Sequence, residues 1–322
     1  MIRILYCKKD NSGLALLMVM ATILILETTC LLLYNSKSTS ATITNNRILQ
    51  LKALYCAEAG IAHELWRIQE DPNWRSKPAE HMLGDGSYTI SFSEDEAQKE
   101  IVITSNALVQ GSESTARRTV HYLTIQLDAS GDFAGEDTYI EMDHAGDNRD
   151  ADDKLVLSSE KFKEDNTLVR FPIDKYPLPP PASVHIIASS FSLYLFDMHN
   201  NTNNDIFQLY RVTNDWDDGI ATWLIRDDAH SWDTFGGDYD HNEVIDSRTL
   251  DENAIEGEWQ TWRIAPLIRD WIKNPSANYG LIIARKAVIA DGKKFYFYNS
   301  HYDASPNLAP RLTIYYLDER SP

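Results

Sequence analysis

Four oxygen-bearing side chains, Asp238, Asp240, Asn242 and Asp246, stand at positions 1, 3, 5 and 9 of a loop within GGDYDHNEVID. That spacing is the start of a calcium-binding loop, and Ca2+ takes about six to eight oxygen ligands. The pattern breaks at position 6, Glu243, where the sharp turn needs glycine, and at position 12, Thr249, where a bidentate glutamate belongs. Two readings remain: a less regular calcium site, with calcium as the one cofactor, or a solvated acidic loop, which is the plainer of the two. A second acidic run, DHAGDNRDADDK, carries Asp143, Asp147, Asp150, Asp152 and Asp153. So dense a cluster repels itself unless a cation relieves it, although exposed acidic loops are common.

Aromatic side chains are the other group with chemistry to offer. Six of the eight tryptophans, Trp216, Trp223, Trp232, Trp259, Trp262 and Trp271, fall in the C-terminal portion. Pyranose C–H groups stack on π surfaces, so exposed aromatics would make a sugar-binding face, whereas tryptophans at strand spacing more often fill a core. Trp232 and Tyr239 flank the glycine turn and are the pair expected at the surface, as candidate ligand-binding residues. A catalytic reading needs a constellation. His230, His241 and His301 sit in loops, with no G-x-S-x-G elbow, HExxH helix or phosphate-binding loop in the sequence. With 34 acidic residues after residue 131, carboxylate pairs are inevitable and carry no information. No enzyme is expected, and the three cysteines offer neither zinc spacing nor a disulfide framework.

The elements that must position these residues follow from pattern and composition. The chain has 322 residues, 43% of them hydrophobic, and a formal net charge of −18. A core of real size is affordable in that composition, and surplus acid argues against nucleic acid as a partner. The charge is uneven: +2 over 1–70, −4 over 71–131 and −16 over 132–322. In 132–318, strand-length apolar runs such as KLVLSS, TLVRFPI, HIIASSFSLYLFDM, FQLYRV, YGLIIARK, KFYFYNS and RLTIYYL predict an antiparallel β-sandwich. TWRIAPLIRDWIKNP reads as its one short helix. In 71–131, SYTISFS, EIVITSNALV and TARRTVHYLTIQL predict a small three-stranded sheet. The fold class expected is mainly β with a long N-terminal α-helix.

The front of the chain follows other rules. Leu14 to Tyr34 is an apolar run of 21 residues whose single charge is Glu27. As a helix it would extend about 31 Å, enough to cross a bilayer. Arg3, Lys8 and Lys9 precede it and would hold the N-terminus in the cytoplasm. Ile48, Leu51, Leu54, Tyr55, Ile61, Leu65 and Ile68 continue at helical spacing, and Pro72 ends the helix, giving a span of about 14–70. The small residue that would mark a cleavage site, Gly13, lies before the apolar run, the reverse of a secretory signal.

That order resembles the type IV pilin class of signal, in which a prepilin peptidase cuts after the glycine. The resemblance implies a leader over 1–13, processing between Gly13 and Leu14, and a mature chain that keeps the apolar helix. GLALLMVMATIL, followed by ALYCAEAGIAHEL, is similar to the N-terminal segment of PilX-type minor pilins and pseudopilins, with Ala57, Glu58, Ala59 and Gly60 as the second motif. Major pilins carry glutamate at the fifth mature position, where this chain has Met18, so the resemblance is to a minor subunit. The 71–131 region would then be a small pilin-like β region. Further on, EDTYI, LVRFPI, SFSLYLF, LYRVTNDW, WIKNPSANYGLII and PRLTIYY resemble, in order, the DNRLRE-domain family, a jelly roll related to carbohydrate-binding modules. The stretch NTLVRFPI departs from that family's name-giving consensus, which leaves its ligand site open.

Together the resemblances imply a minor pilin or pseudopilin-like subunit of a type IV pilus or type II secretion-like filament that displays a carbohydrate-binding or adhesive jelly roll. Its partners would be other pilin-like subunits, the prepilin peptidase, the membrane and a glycan. It would sit in the inner membrane with its C-terminal domain periplasmic or extracellular. The alternative is a membrane-anchored, surface polysaccharide-active enzyme.

Overall fold

One unbroken helix, α1 (Ser12–Glu70), opens the chain where the apolar run and the residues behind it predict one. The computed structural model describes residues 12–71, 74, 79–128, 135–199, 205–250, 256–286, 294–302 and 306–319. The first eleven residues of the expected leader lie outside these. Gly13 and Leu14 are described by their backbone alone, as part of α1. Every described side chain from Leu17 to Ile48 is exposed. By length and composition this helix can cross a membrane, as an anchor or as a signal segment. Its polar side chains suit that use: the hydroxyls of Thr22 and Thr28 donate back to the carbonyls of Met18 and Leu24, both at 2.9 Å. These two hydroxyls are thus satisfied within the helix and do not need water.

The rear of α1 does not bury the expected stripe. The buried positions are Ala53, Cys56, Ala57, Gly60, Ile61, Glu64 and Ile68, while Ile48, Leu51, Leu54 and Tyr55 are exposed. Of the stripe read from spacing, Ile61 and Ile68 are core, Leu65 is half-buried, and the rest face outward. Small residues win the inner face because they let a helix approach another backbone closely.

The chain divides into two units. The first comprises Met1–Gly60, Pro78–Ile90 and Ser105–Ala116, and the second Ile61–Lys77, Ser91–Thr104 and Arg117–Pro322. Strands β1 (Glu80–Leu83), β2 (Gly86–Asp95), β3 (Glu100–Val109) and β4 (Ser112–Gln126) are neighbours in that order. In the first unit, α1 lies against them at Gly60, where an added Cβ would come within 2.3 Å of Ser105 Oγ and 2.8 Å of Tyr88 Cδ2. One turn earlier, Cys56 Sγ lies 3.6 Å from the Ser87 carbonyl oxygen. The division departs from the boundary expected between 131 and 132. Residues 117–126 of β4 belong to the second unit, and β4 pairs from His121 to Gln126 with the last strand of the chain.

That second unit is built from β5 (Glu136–Glu141), β6 (Lys154–Ser158), β7 (Asp165–Arg170), β8 (Val184–His199), β9 (Asp205–Arg211), β10 (Asp246–Leu250), β11 (Glu258–Arg263), α2 (Ala265–Lys273), β12 (Leu281–Arg285), β13 (Lys294–Tyr298) and β14 (Arg311–Asp318). With fourteen antiparallel strands behind one long helix among the described residues, the chain is mainly β. β5, β7, β12, β9 and β10 pair in one layer. β6, β13, β8, β14 and β11 pair in the other. Among the described residues, strands of the two layers pair only at Ser158↔Asp165, and beside it the Thr167 hydroxyl of β7 donates to the Val156 carbonyl of β6 at 2.9 Å. Alternate residues of both fill one core: Val169, Leu209 and Ile283 from the first, Leu155, Leu193, Phe297 and Ile314 from the second. This two-layer packing is a β-sandwich. α2 closes one side, burying Leu267, Ile268 and Trp271 as its apolar face predicts. Sequence reading missed β10 and β11, both short and rich in polar residues; Trp259 to Arg263 form a strand and only Ala265 onward is helix.

Candidate functional site

The residues singled out in the long β9–β10 connection are the first to place. This loop covers the outer face of the β7–β12–β9 layer, where Leu168, Tyr210 and Ile282 pack with Trp216, Trp223 and Trp232. Trp232 is only 3% exposed, and its Nε1–H donates to the Thr222 carbonyl at 2.8 Å. It is therefore a core residue and not the exposed stacking face expected of it. Tyr239 is half-buried, with its ring 4.7 Å from Tyr210 and 4.0 Å from His241. Burial pushes its phenol up to about 12. It borders a cleft of about 260 Å3 with Phe235, Asn166 and Arg285.

The calcium loop is not assembled. Asp238 is buried, its two carboxylate oxygens accepting from Thr234 N and Asn214 Nδ2, both at 2.9 Å. Asp240 accepts from Asn242 N at 2.9 Å, which closes a turn. Asp246 accepts from its neighbour Ser247 N and, at 2.7 Å, from Arg263 N. Three of the four expected ligands thus hold their own loop in shape. Among the described residues, the one group of three whose ligand atoms lie within 4.8 Å of one another is Glu141, Asp143 and His144. There Arg149 already meets Glu141 at 2.7 Å. Farther along the 143–154 run, Asp152 accepts from the Tyr139 hydroxyl at 2.6 Å. Donors within the fold relieve much of the acid that looked unrelieved in sequence.

The aromatic surface lies elsewhere, on the outer face of the β8–β13 layer. Strand alternation puts it there. In β13, Phe295 and Phe297 point into the core, so Tyr296 and Tyr298 point out. In β8, Leu193 and Leu195 are core, which turns Tyr194 and Phe196 outward. Register then brings them together. Trp259 of β11 sits opposite Tyr194, with ring centroids 5.3 Å apart. Tyr298 stacks on Phe196 at 4.4 Å and on Tyr302 at 4.0 Å. All six of these rings are half-buried, with the Arg311 guanidinium 4.1 Å from the Trp259 ring centroid and the Lys154 ammonium 5.3 Å from that of Tyr296. Polar groups edge the cleft of about 440 Å3 beside them: Asp153, Lys154, Asp197 and His199. Rigid rings flanked by a few donors and acceptors can stack on apolar C–H faces while holding hydroxyls. The signal for this surface was in the sequence. KFYFY has aromatics at four successive positions, so period two must send two of them to solvent whichever face is core.

A third feature needed the fold to appear. Asp137 is buried and accepts from Ser300 N at 2.9 Å and from the Ser300 hydroxyl. His301 stands beside this pair, its Nδ1 3.5 Å from the Ser300 hydroxyl and 3.9 Å from Asp150. Burial, only partly offset by the Ser300 hydrogen bonds, pushes the Asp137 carboxyl up to about 6 from 3.8. A carboxyl raised in the folded state contributes stability that is full below its unfolded value and lost as pH rises through its folded one. Between about pH 4 and pH 7 this group should therefore lower unfolding free energy by about 2–3 kcal/mol, at roughly 1.4 kcal/mol per pK unit. Denaturant titrations at both pH values should show that slope, and Asp137→Asn should flatten it; an equal slope in the variant would place its origin elsewhere.

No family model matches this sequence, and a search of the curated proteins likewise finds no match.

Proposed function

We propose that this protein is a membrane-anchored, minor-pilin-like subunit whose C-terminal sandwich binds a carbohydrate at the aromatic surface of β8, β11 and β13. The observation that carries the reading is that surface: Trp259, Tyr194, Tyr298, Phe196, Tyr296 and Tyr302 form a connected row of rings accessible on one side. A core has no use for aromatics facing out, and the polar groups beside them suit hydroxyl recognition. The front of α1 supports delivery through a membrane. Its rear supports filament incorporation: the small residues pack inward, leaving Leu51, Leu54, Tyr55 and Trp66 exposed along a helix for other helices to cover. The filament is a type IV pilus or a type II secretion-like pseudopilus, with other pilin-like subunits and the prepilin peptidase as the partners in both.

The test uses full-length protein purified from membranes in mild detergent. Its mass should correspond to a chain beginning at Leu14, and the same material should be retained by one class of immobilised polysaccharide. Tyr298→Ala and Phe196→Ala should each weaken retention at least tenfold, equivalent to about 1.4 kcal/mol. Retention untouched by both variants would remove the binding surface from the proposal, and an unprocessed N-terminus would remove the pilin-like route. Depolymerisation of the retained polymer would favour the enzyme reading instead.

A further inference from the structure

The start of β13 lies beside a group of buried acids that plays no part in the aromatic surface. Asp165, the first residue of β7, is opposite Glu141 of β5 on one side and Ser158 of β6 on the other. Lys294, the first residue of β13, is opposite the same Ser158. The lysine therefore reaches across one small residue to an acid two strands away. Its Nζ lies 3.0 Å from Asp165 Oδ2 and 3.8 Å from Glu141 Oε1. The Asp165 side chain is 0% exposed, and among the described residues neither of its oxygens accepts a hydrogen bond from a backbone amide or hydroxyl. An ion pair held this way, with its acid fully desolvated and no other donor to satisfy it, is a poor source of stability.

We propose that Lys294 and Asp165 condense into an intramolecular amide, a covalent cross-link between β13 and β7, with Glu141 relaying the protons. The ammonium first passes a proton to the Asp165 carboxylate, giving a neutral amine and a neutral acid. The Nζ lone pair then forms a bond to Asp165 Cγ. Glu141 takes the proton from the attacking nitrogen and returns it to the departing Asp165 oxygen, which leaves as water. One C–O bond breaks, one C–N bond forms, and nothing is oxidised or reduced. Burial favours the acid form that this step needs, pushing Asp165 up to about 7 against the pull of Lys294. The charges of Asp165 and Glu141 hold the Lys294 amine above its usual range in spite of burial. The proton must therefore go to Asp165 itself, 3.0 Å away, and not to solvent. Glu141 is placed to serve because Arg149 holds its Oε2 at 2.7 Å, while Oε1 faces Lys294 and, at 3.1 Å, His144 Nδ1. The link would close a loop from 165 to 294, most of the sandwich, against unfolding. It stands independently of any carbohydrate.

The purified protein, unfolded and weighed intact, should be lighter by about 18 Da, the mass of one water, than the mass calculated for a chain with its own N-terminus, processed or not. Proteolysis should yield a branched peptide containing both Asp165 and Lys294. Lys294→Arg and Asp165→Ala should restore the full mass and slow migration in denaturing gels. Glu141→Gln leaves both reacting groups in place and should reduce the linked fraction from near complete to a minor one. A wild-type chain of full mass with separate Asp165 and Lys294 peptides would show an ion pair only and overturn the proposal. A Glu141→Gln chain as fully linked as wild type would overturn the relay.

Discussion

Replacing Gly60 with leucine should loosen α1 from the sheet of the first unit at a cost on the order of 3 kcal/mol. A Cβ at this position would stand 2.3 Å from Ser105 Oγ, 2.8 Å from Tyr88 Cδ2 and 3.1 Å from Ile90 Cδ1. The serine hydroxyl can rotate away. The tyrosine ring cannot: it is buried, and the His81 ring stacks against it at 5.2 Å. Glycine inside a helix costs about 0.8–1 kcal/mol relative to alanine, so relief of that penalty opposes the clash. For Gly60→Ala the gain in helix propensity should offset only part of the Cβ clash, leaving a smaller loss. Leucine adds three more carbons where there is no room, and the clash should win. Amide exchange at residues 86–90 and 105–109 should accelerate about 100-fold in Gly60→Leu, following roughly tenfold per 1.4 kcal/mol, and hardly at all in Tyr55→Ala, whose side chain is exposed. Unchanged protection in Gly60→Leu would mean that the close approach is not made.

The second large effect concerns Trp232, which sequence reading and structure assign to opposite roles. If it is core, Trp232→Ala removes an indole packed in the cluster over β7, β9 and β12 and leaves the Thr222 carbonyl without its donor. The expected loss is about 3–5 kcal/mol, with a fall in melting temperature of roughly 10 °C for a unit of this size. Polysaccharide retention below that temperature should be unchanged. Tyr298→Ala should behave in the opposite sense, weakening retention with little effect on melting, because its ring stands outside the core. A Trp232→Ala protein that melts like wild type and fails to bind would reinstate the glycine-turn site and displace the β8–β13 surface.

These two residues also show where sequence reading ran out. Trp232 and Tyr239 are expected outside because Gly236 and Gly237 mark a turn, and turns are usually at the surface. Here the turn is folded down onto the sheet: Gly236 has φ +91° and lies so close to the Trp223 ring that a Cβ would come within 2.8 Å of it. Its carbonyl accepts from Asn166 at 2.8 Å, a residue 70 positions away. No local pattern can carry that information, because one of the partners sits on β7. The acids failed for the same reason. Asp238 and Asp246 have ligand-like spacing, but their oxygens are engaged by Asn214 and by the backbone of Arg263, which only the fold brings near.

What the sequence determined by itself is what depends on neighbours along the chain. An apolar run before a helical pattern and a proline set the length of α1. Period-two alternation set most strands of the sandwich, and an apolar face at helical spacing set α2. These rest on local backbone geometry and hydrophobic burial, which a short window of residues already specifies. Only the tertiary structure decided which face of α1 turns inward, since helical spacing marks stripes but not the close approach that favours Ala57 and Gly60 over Leu51 and Leu54. It also decided which aromatics are open and which carboxylates are paired. Tyr298 meets Phe196, and Lys294 meets Asp165, through strand register between segments about 100 residues or more apart, and register is fixed by the packing of the whole sandwich.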